Sequence, residues 1–450
     1  MPRHGDSSDE VLAADIDLLA LHAHDPDFYP YLLQSTSRDG RLGRYDILFA
    51  NPEESLVLRG DGELQGPGSD GANRFLDSLD RWYDAERGPG GALPFSGGWF
   101  VYLGYELAGE IEDTLRLSDD TRLPVAFATR CRTAIIRDHV LNETRLVAEE
   151  GVPDRILHRI RNDAENSIAS PEHTVSINSI REDEPGFFLD AVASAKARID
   201  YGDIYQANLS RSWHATVDED TSPGDVYLAL CAANPAPFAG LARFENASII
   251  SSSPERLIRS RDGLVSTRPI AGTRPRSADL AVDGSLSAEL LTHPKERAEH
   301  VMLIDLERND LGRICKPGTV SVDEMMVIET YAHVHHIVSN VSGELDDDVT
   351  PGGVVRAVFP GGTITGCPKV KCMEIIASLE RAPRGAYTGS FGYLNRDGSL
   401  DLNILIRTMV QHDNELTLRA GAGIVADSIP NAELDETRAK AKGLLAALGA

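Results

Sequence analysis

The sequence predicts an α/β (α+β) protein built on large β-sheets flanked by helices. Three observations lead there. Segments alternating apolar and polar residues, the two-residue period of a half-buried strand, recur through the first 150 residues. From Pro185 onward, runs with apolar residues at three- and four-residue steps alternate with strand-like runs. The alternation keeps no strict βαβ spacing, so neither a Rossmann nor a TIM repeat fits. The expected division is a β-rich part over 1–150, a connector over 151–185 and a larger part over 186–450.

The elements follow in order. The first ten residues are polar and expected to fray, and 11–24 (VLAADIDLLALHAH) reads as a short amphipathic helix. Tyr31–Gln34 and 45–50 read as strands separated by Gly/Asp turns. A Gly/Pro loop over 87–98 precedes the strand-like WFVYLGY, and 131–149 alternates as strands do. The span 150–185 reads as a helix plus a polar connector. Residues 187–199 read as a helix, followed by a strand through DIYQANLS (203–210). Pro294 and Pro430 stand where a proline opens a helix, with runs to about Arg313 and Leu448. A further helix is expected over 368–380.

With 450 residues, the chain suits one large α/β domain or as many as three. Hydrophobic residues at 42% and charged residues at 25% exclude collagen, coiled coil and wholesale disorder. Seventy acidic against 44 basic residues leave a net charge of −26, which repels nucleic-acid backbones and anionic lipid. An anionic substrate would therefore need local positive charge. The five cysteines, at 131, 231, 315, 367 and 372, form no CxxC and suit a reducing compartment. The acidic, polar start is no signal peptide, and the longest uncharged stretches (88–105 and 226–242) are broken by Gly and Pro. A cytoplasmic protein without a membrane span is expected.

Several constellations carry chemistry. Glu296 and Glu299 stand three apart on one predicted helix, and Glu433 and Glu436 three apart on another, with Lys440 one turn beyond. Carboxylates converging from two helices would need a hard cation such as Mg²⁺. Taken singly, each pair equally suits a solvated helix face. FPGGTITGCPK (359–369) is a Gly-rich loop entering a helix, an anion cradle or a simple tight turn, and it lacks the Lys-Ser/Thr of a Walker A loop. AGAGIVADS (420–428) would let a ligand approach the main chain. His335 and His336 sit in an alternating stretch and would face opposite sides of a strand. No HExxH, GxSxG or cysteine nucleophile elbow is present.

In their order these blocks resemble the chorismate-utilising enzymes. The match runs from about Tyr201 to Lys440 through DIYQANLS, SSSPERL (251–257), TRPIAGTRPR (267–276), ERAEHVMLIDLERNDLGR (296–313), HHIVS (335–339), FPGGTITGCPKVKCMEII (359–376), GAYTGSFGY (385–393), IRT (406–408), AGAGIVADS and ELDETRAKAK (433–442). The resemblance implies the anthranilate synthase component I-like fold, a two-sheet β-sandwich flanked by helices. Gln206 stands where the water-using branches place a lysine, which points to ammonia as nucleophile. RYDI (44–47), NPAPF (234–238), SSSPER and FPGGTITG look most like aminodeoxychorismate synthase component I, whose product feeds 4-aminobenzoate and folate. PIAGT, with Ala271 at the position of that branch's lysine, looks like anthranilate synthase component I instead. An inactive, binding-only homologue is the remaining alternative.

The resemblance also implies roles. Mg²⁺ would sit on Glu299 and Glu436, with Glu296 and Glu433 through water. Glu255 would be the general acid/base, with His336 beside the same region and Lys440 balancing charge. Tyr387 and Arg407 would hold the enolpyruvyl carboxylate. Gly272, Thr273, Thr363, Gly421, Ala422 and Gly423 would complete the substrate site. Ser35, Arg44, Asn234 and Pro235 resemble the family's tryptophan pocket, structural in one branch and inhibitory in the other. A separate glutamine amidotransferase subunit would deliver the ammonia.

Overall fold

The computed structural model describes residues 7–13, 15–37, 43–72, 74–118, 122–166, 175–277, 279–330 and 334–450. Within them every strand pairing is antiparallel. One sheet runs from Ile177–Glu182 through Gln206–Val217, Glu415–Ile424, Thr408–His412, Ala247–Ser253, Phe238–Phe244 and Tyr31–Gln34 to Tyr45–Leu58. The other runs from Ala126–Asp138 through Gly98–Leu103, Ser390–Asn395, Leu400–Asn403, Arg256–Arg261 and Leu264–Thr267 to Val334–Glu344. That last strand also pairs with Ile270–Pro275 and, on its other edge, with Ser321–Thr330.

The expected sandwich is present, with its two sheets joined. Tyr45–Leu58 and Ala126–Asp138 pair along their length, and both strands belong to both layers. The register shifts between Pro52 and Ser55, beside Asn51 at φ 53°, and this bulge lets one strand turn from the first sheet into the second. Between the sheets, Tyr31 stacks on Phe100 at a centroid distance of 4.0 Å. Gly240 lies so close to Phe391 that a Cβ would stand 2.7 Å from its ring. The outer faces are covered by helices. Phe75–Glu86 and Pro351–Val358 pack on the second sheet around Trp82 and Trp99. Leu18–His24, Pro223–Ala233 and the end of Pro430–Ala447 pack on the first.

Most expected elements stand where the sequence places them. The helices Pro185–Tyr201, Pro294–Leu311, Lys369–Leu379 and Pro430–Ala447 are present, three of them with proline at the first positions. The N-terminus differs. Ser7–Leu12 is not frayed but pairs with Glu143–Glu149, and the predicted helix over 11–24 begins only at Leu18. Asp17 sets that start, because its carboxylate accepts from the N–H groups of Leu19 and Ala20. The strand expected over 45–50 continues to Leu58, and the span after 150 holds a helix, Asp154–Glu165, and a strand, Ile177–Glu182. Residues 1–6 lie outside those described. No helix among the described residues is long and apolar enough to cross a membrane.

Because Phe100 is fully buried between the layers, Phe100→Ala should cost about 3–5 kcal/mol. Chemical denaturation should show an earlier midpoint with an unchanged slope.

Candidate active site

Two neighbouring strands floor the site. In Gln206–Val217, Ala207 and Leu209 join an apolar cluster with Phe188, Ile375, Ala422 and Leu434. The two-residue period therefore turns Gln206 and Asn208 the other way. Gln206 Nε2 donates to Glu299 Oε1 at 3.3 Å. Gln206 Oε1 and Asn208 Oδ1 are buried with no hydrogen-bond partner. A buried unpaired polar atom costs about 1–3 kcal/mol, so two side by side mark a place that a ligand completes. The adjacent strand, Glu415–Ile424, leaves room for them. A Cβ on Gly421 would stand 2.6 Å from Asn208 Oδ1 and 2.7 Å from the Tyr387 hydroxyl, and one on Gly423 would stand 2.5 Å from Gln206 Nε2. Ala422, between them, points into the apolar cluster and offers the site only its main chain.

The wall is built from Glu255, Thr363, His336 and Arg407. Glu255 follows the strand Ala247–Ser253, is 5% exposed, and accepts from the Thr363 hydroxyl at 2.8 Å. Burial pushes its carboxyl up to about 7, opposed by that hydrogen bond, one from Ile270 and the charge of Lys440. His336 is held neutral, with its pKa pulled down to about 4 by burial and by the Arg407 charge. Its ring hydrogen-bonds the Gly272 main chain. Arg407 sits at φ 55°, and among the described residues no carboxylate forms an ion pair with it. Burial lowers its pKa, while Tyr387 and Glu436 support its charge. Such a cation attracts the carboxylate of an anionic ligand.

The four predicted carboxylates open the two long helices. Burial raises the Glu299 pKa, and the charges of Glu296 and Glu436 raise it further. Glu433 is buried, and Glu436 pairs with Lys440 at 2.7 Å. Glu296 pairs with Arg274 at 3.1 Å, and a Cβ on Gly272 (φ 58°) would stand 2.7 Å from its other oxygen. Among the described residues no three His, Cys, Asp or Glu side chains form a ready-made metal cage. The donor set nonetheless suits a hard cation: it is oxygen only, and Glu299 feels the charges of Glu296 and Glu436.

A family model described as chorismate binding enzyme matches residues 30–446. The chain belongs to that family. It is 42% identical over 411 residues to an anthranilate synthase component I-like protein of Synechocystis sp., covering 90% of this chain and 83% of that relative. It is 37% identical to anthranilate synthase component 1 of Acetivibrio thermocellus, covering 93% and 90%. Anthranilate synthase component I from Streptococcus pneumoniae shares the fold with a TM-score of 0.80 at 32% identity, covering 89% of this chain and 92% of that one.

In this chorismate-binding enzyme the structure brings together Glu255 with Thr363, Gln206 with Glu299, and Gly421 with Tyr387. Ala271 is buried in the strand Ile270–Pro275 opposite Ile337. Thr273 pairs with His336 in the same ladder, but its side chain lies outside what is described. His335 and His336 do face opposite ways: His335 bonds Asp283 at 2.9 Å, away from Arg407. Ser35 and Arg44 line a separate cavity of about 590 Å³ with Pro237, Phe238, Arg256 and Tyr393. Asn234 and Pro235 do not line it. The Asn234 amide is instead turned to the Ser252 carbonyl at 3.1 Å.

Three residues escaped the sequence reading: Asn208, Arg274 and Glu307. They lie in DIYQANLS, TRPIAGTRPR and ERAEHVMLIDLERNDLGR respectively. Glu307 carried a signal, because it stands eleven residues, or three helical turns, beyond Glu296 on the same face. It is buried, and burial together with Asp310 pushes its pKa up to about 8. Arg274 and Asn208 carried none, since their partners come from other elements.

The Glu255 carboxyl has a folded pKa raised from about 4.5 to about 7. Its stabilising contribution is therefore full below about 4.5 and lost as pH rises through about 7. Glu255→Gln, which cannot ionise, should gain stability over wild type between pH 5 and pH 8.5, by about 2–3 kcal/mol at the top of that range. Paired thermal melts across pH check this.

Proposed function

We propose that this chorismate-binding enzyme is an anthranilate synthase component I, converting chorismate and ammonia to anthranilate, pyruvate and water. The observation that carries the reading is Ala271. The strand Ile270–Pro275 reaches the site with a buried methyl where a covalent route through a lysine would need an amine. Ammonia must then attack the ring directly. The printed names of the relatives support the same reading. RYDI, NPAPF, SSSPER and FPGGTITG favour a second one, formation of 4-amino-4-deoxychorismate.

The side chains suit the chemistry. Arg407 and Tyr387 take the enolpyruvyl carboxylate. Gln206, with its unpaired carbonyl oxygen, orients ammonia toward C2. Glu255, poised near neutrality by burial, gives its proton to the C4 hydroxyl as that group leaves. The product of this step is 2-amino-2-deoxyisochorismate. Loss of its C2 proton expels pyruvate and leaves the aromatic ring. Mg²⁺ would be held by Glu299 and Glu436, with Glu296 and Glu433 through water, and when bound it would offset the charge of the ring carboxylate. Ammonia comes from a separate glutamine amidotransferase subunit. The cavity at Ser35 and Arg44 takes tryptophan. Its arginines suit an amino-acid carboxylate, although Arg44 and Arg256 are engaged by Asp138 and Asp401 at 2.8 Å each.

The purified chain, given chorismate, Mg²⁺ and an ammonium salt at raised pH, should release anthranilate, read by its fluorescence. If 4-aminobenzoate forms after adding aminodeoxychorismate lyase and no anthranilate appears, the second reading replaces this one. Glu299→Ala and Glu436→Ala should each abolish turnover, as should EDTA. Full activity in any of these would remove the metal assignment. Tryptophan should raise the melting temperature of wild type but not of Ser35→Leu, whose side chain fills the cavity.

A further inference from the structure

Glu436 and Glu296 are each met by a cation of the chain itself, and the two contacts differ in kind. Lys440 meets Glu436 from one turn along the same helix, both half exposed. Such a pair is worth little. Arg274 reaches Glu296 from another element, the strand Ile270–Pro275, and its guanidinium is shared. Nη1 donates to Glu296 Oε1 at 3.1 Å, while Nε and Nη2 donate to Glu289 Oε1 at 3.3 and 3.1 Å. Glu289 belongs to a third element, the helix Leu280–Thr292. That helix is pinned by Asp283, which accepts from the Ser277 N–H at 2.9 Å and bonds Arg276 and His335. The rigid fork of a planar guanidinium lets Arg274 hold Glu296 and Glu289 at the same time.

We propose that Arg274 is a counter-ion gate on the metal site. It bridges Glu296 and Glu289 while no metal is present and is held by Glu289 alone when Glu296 turns to Mg²⁺ and its waters. Cation repulsion drives the transfer, and Glu289, which is not part of the metal set, makes it affordable in charge. Metal affinity is then set by how readily Arg274 gives up Glu296 and rests on Glu289. The transfer also tightens the link from the strand bearing Ala271 and Gly272 to the helix Leu280–Thr292, so metal binding orders the wall of the substrate site. The proposal rests on the reading of Glu296, Glu299, Glu433 and Glu436 as the Mg²⁺ site.

The test is titration calorimetry of MgCl₂ into the full-length chain at constant ionic strength, without substrate. Arg274→Gln should bind Mg²⁺ roughly fivefold tighter, and Glu289→Gln roughly threefold weaker, because Arg274 then has nowhere to go. The double variant decides between a gate and a simple field effect. If Glu289 acts only by receiving Arg274, Arg274→Gln/Glu289→Gln matches Arg274→Gln. If the two charges merely add, the double variant returns close to wild type and the gate is refuted. Arg274→Lys keeps the charge without the fork, and in that background Glu289→Gln should have a smaller effect. An undiminished effect there counts against the gate. Glu299→Gln separates the two layers of the reading. If wild type binds no Mg²⁺, or Glu299→Gln binds it equally well, the metal site itself is wrong and the gate falls with it. If Glu299→Gln loses Mg²⁺ while Arg274→Gln and Glu289→Gln match wild type, only the gate is wrong.

Discussion

The antiparallel pairing of Tyr45–Leu58 with Ala126–Asp138 carries both layers of the molecule. Each strand begins in one sheet and ends in the other, so the sandwich closes through hydrogen bonds as well as through side-chain packing. The bulge at Pro52–Ser55 is where that becomes possible, because an extra residue bends the strand without breaking the ladder. Once the layers are joined there, Tyr31, Phe100 and Phe127 fill the space between them. The helices can then cover only the outer faces. The strands that bear Gln206 and Gly421 lie at one end of the first sheet, the strand that bears His336 lies toward the end of the second, and Glu255 stands in the link from Ala247–Ser253 to Arg256–Arg261.

The site adds an electrostatic problem to that scaffold. A chain of net charge −26 has to receive a dicarboxylate. The structure supplies Arg407 without a carboxylate partner among the described residues, and burial raises the pKa of Glu255 to about 7 and that of Glu307 to about 8. It also places Arg274 against Glu296 and Lys440 against Glu436. Burial does two opposite jobs here: it makes Glu255 a proton donor near neutrality, and it keeps His336 from acquiring charge beside Arg407.

The branch of the family turns on which residues face the ring. RYDI and NPAPF place Arg44, Tyr45, Pro237 and Phe238 around the separate cavity, so their likeness to one branch concerns that cavity. Ala271 lies in the strand Ile270–Pro275, whose Gly272 and Arg274 stand against Glu296. A count of matching blocks treats these positions alike, whereas the chemistry does not.

Much of the fold was legible in the chain itself. Proline at the opening of the long helices, the three- and four-residue apolar steps and the alternation of the strands are local signals, and the elements they predict are present. The i,i+3 carboxylate pairs and the Gly-rich strand were visible for the same reason, since spacing within one element sets which side chains share a face. The strand at Ser7–Leu12 was not visible, because its partner lies more than a hundred residues away at Glu143–Glu149. Nor were the forked contact of Arg274, the raised pKa of Glu255 or the unpaired oxygens of Gln206 and Asn208. The sequence by itself determined the elements, the family and the chemical types gathered at the site, all of which follow from local periodicity and motif order. Tertiary structure alone decided which carboxylates are buried, which cation each one meets and which polar atoms are left unpaired. Burial and charge coupling depend on elements that meet only when the two sheets close.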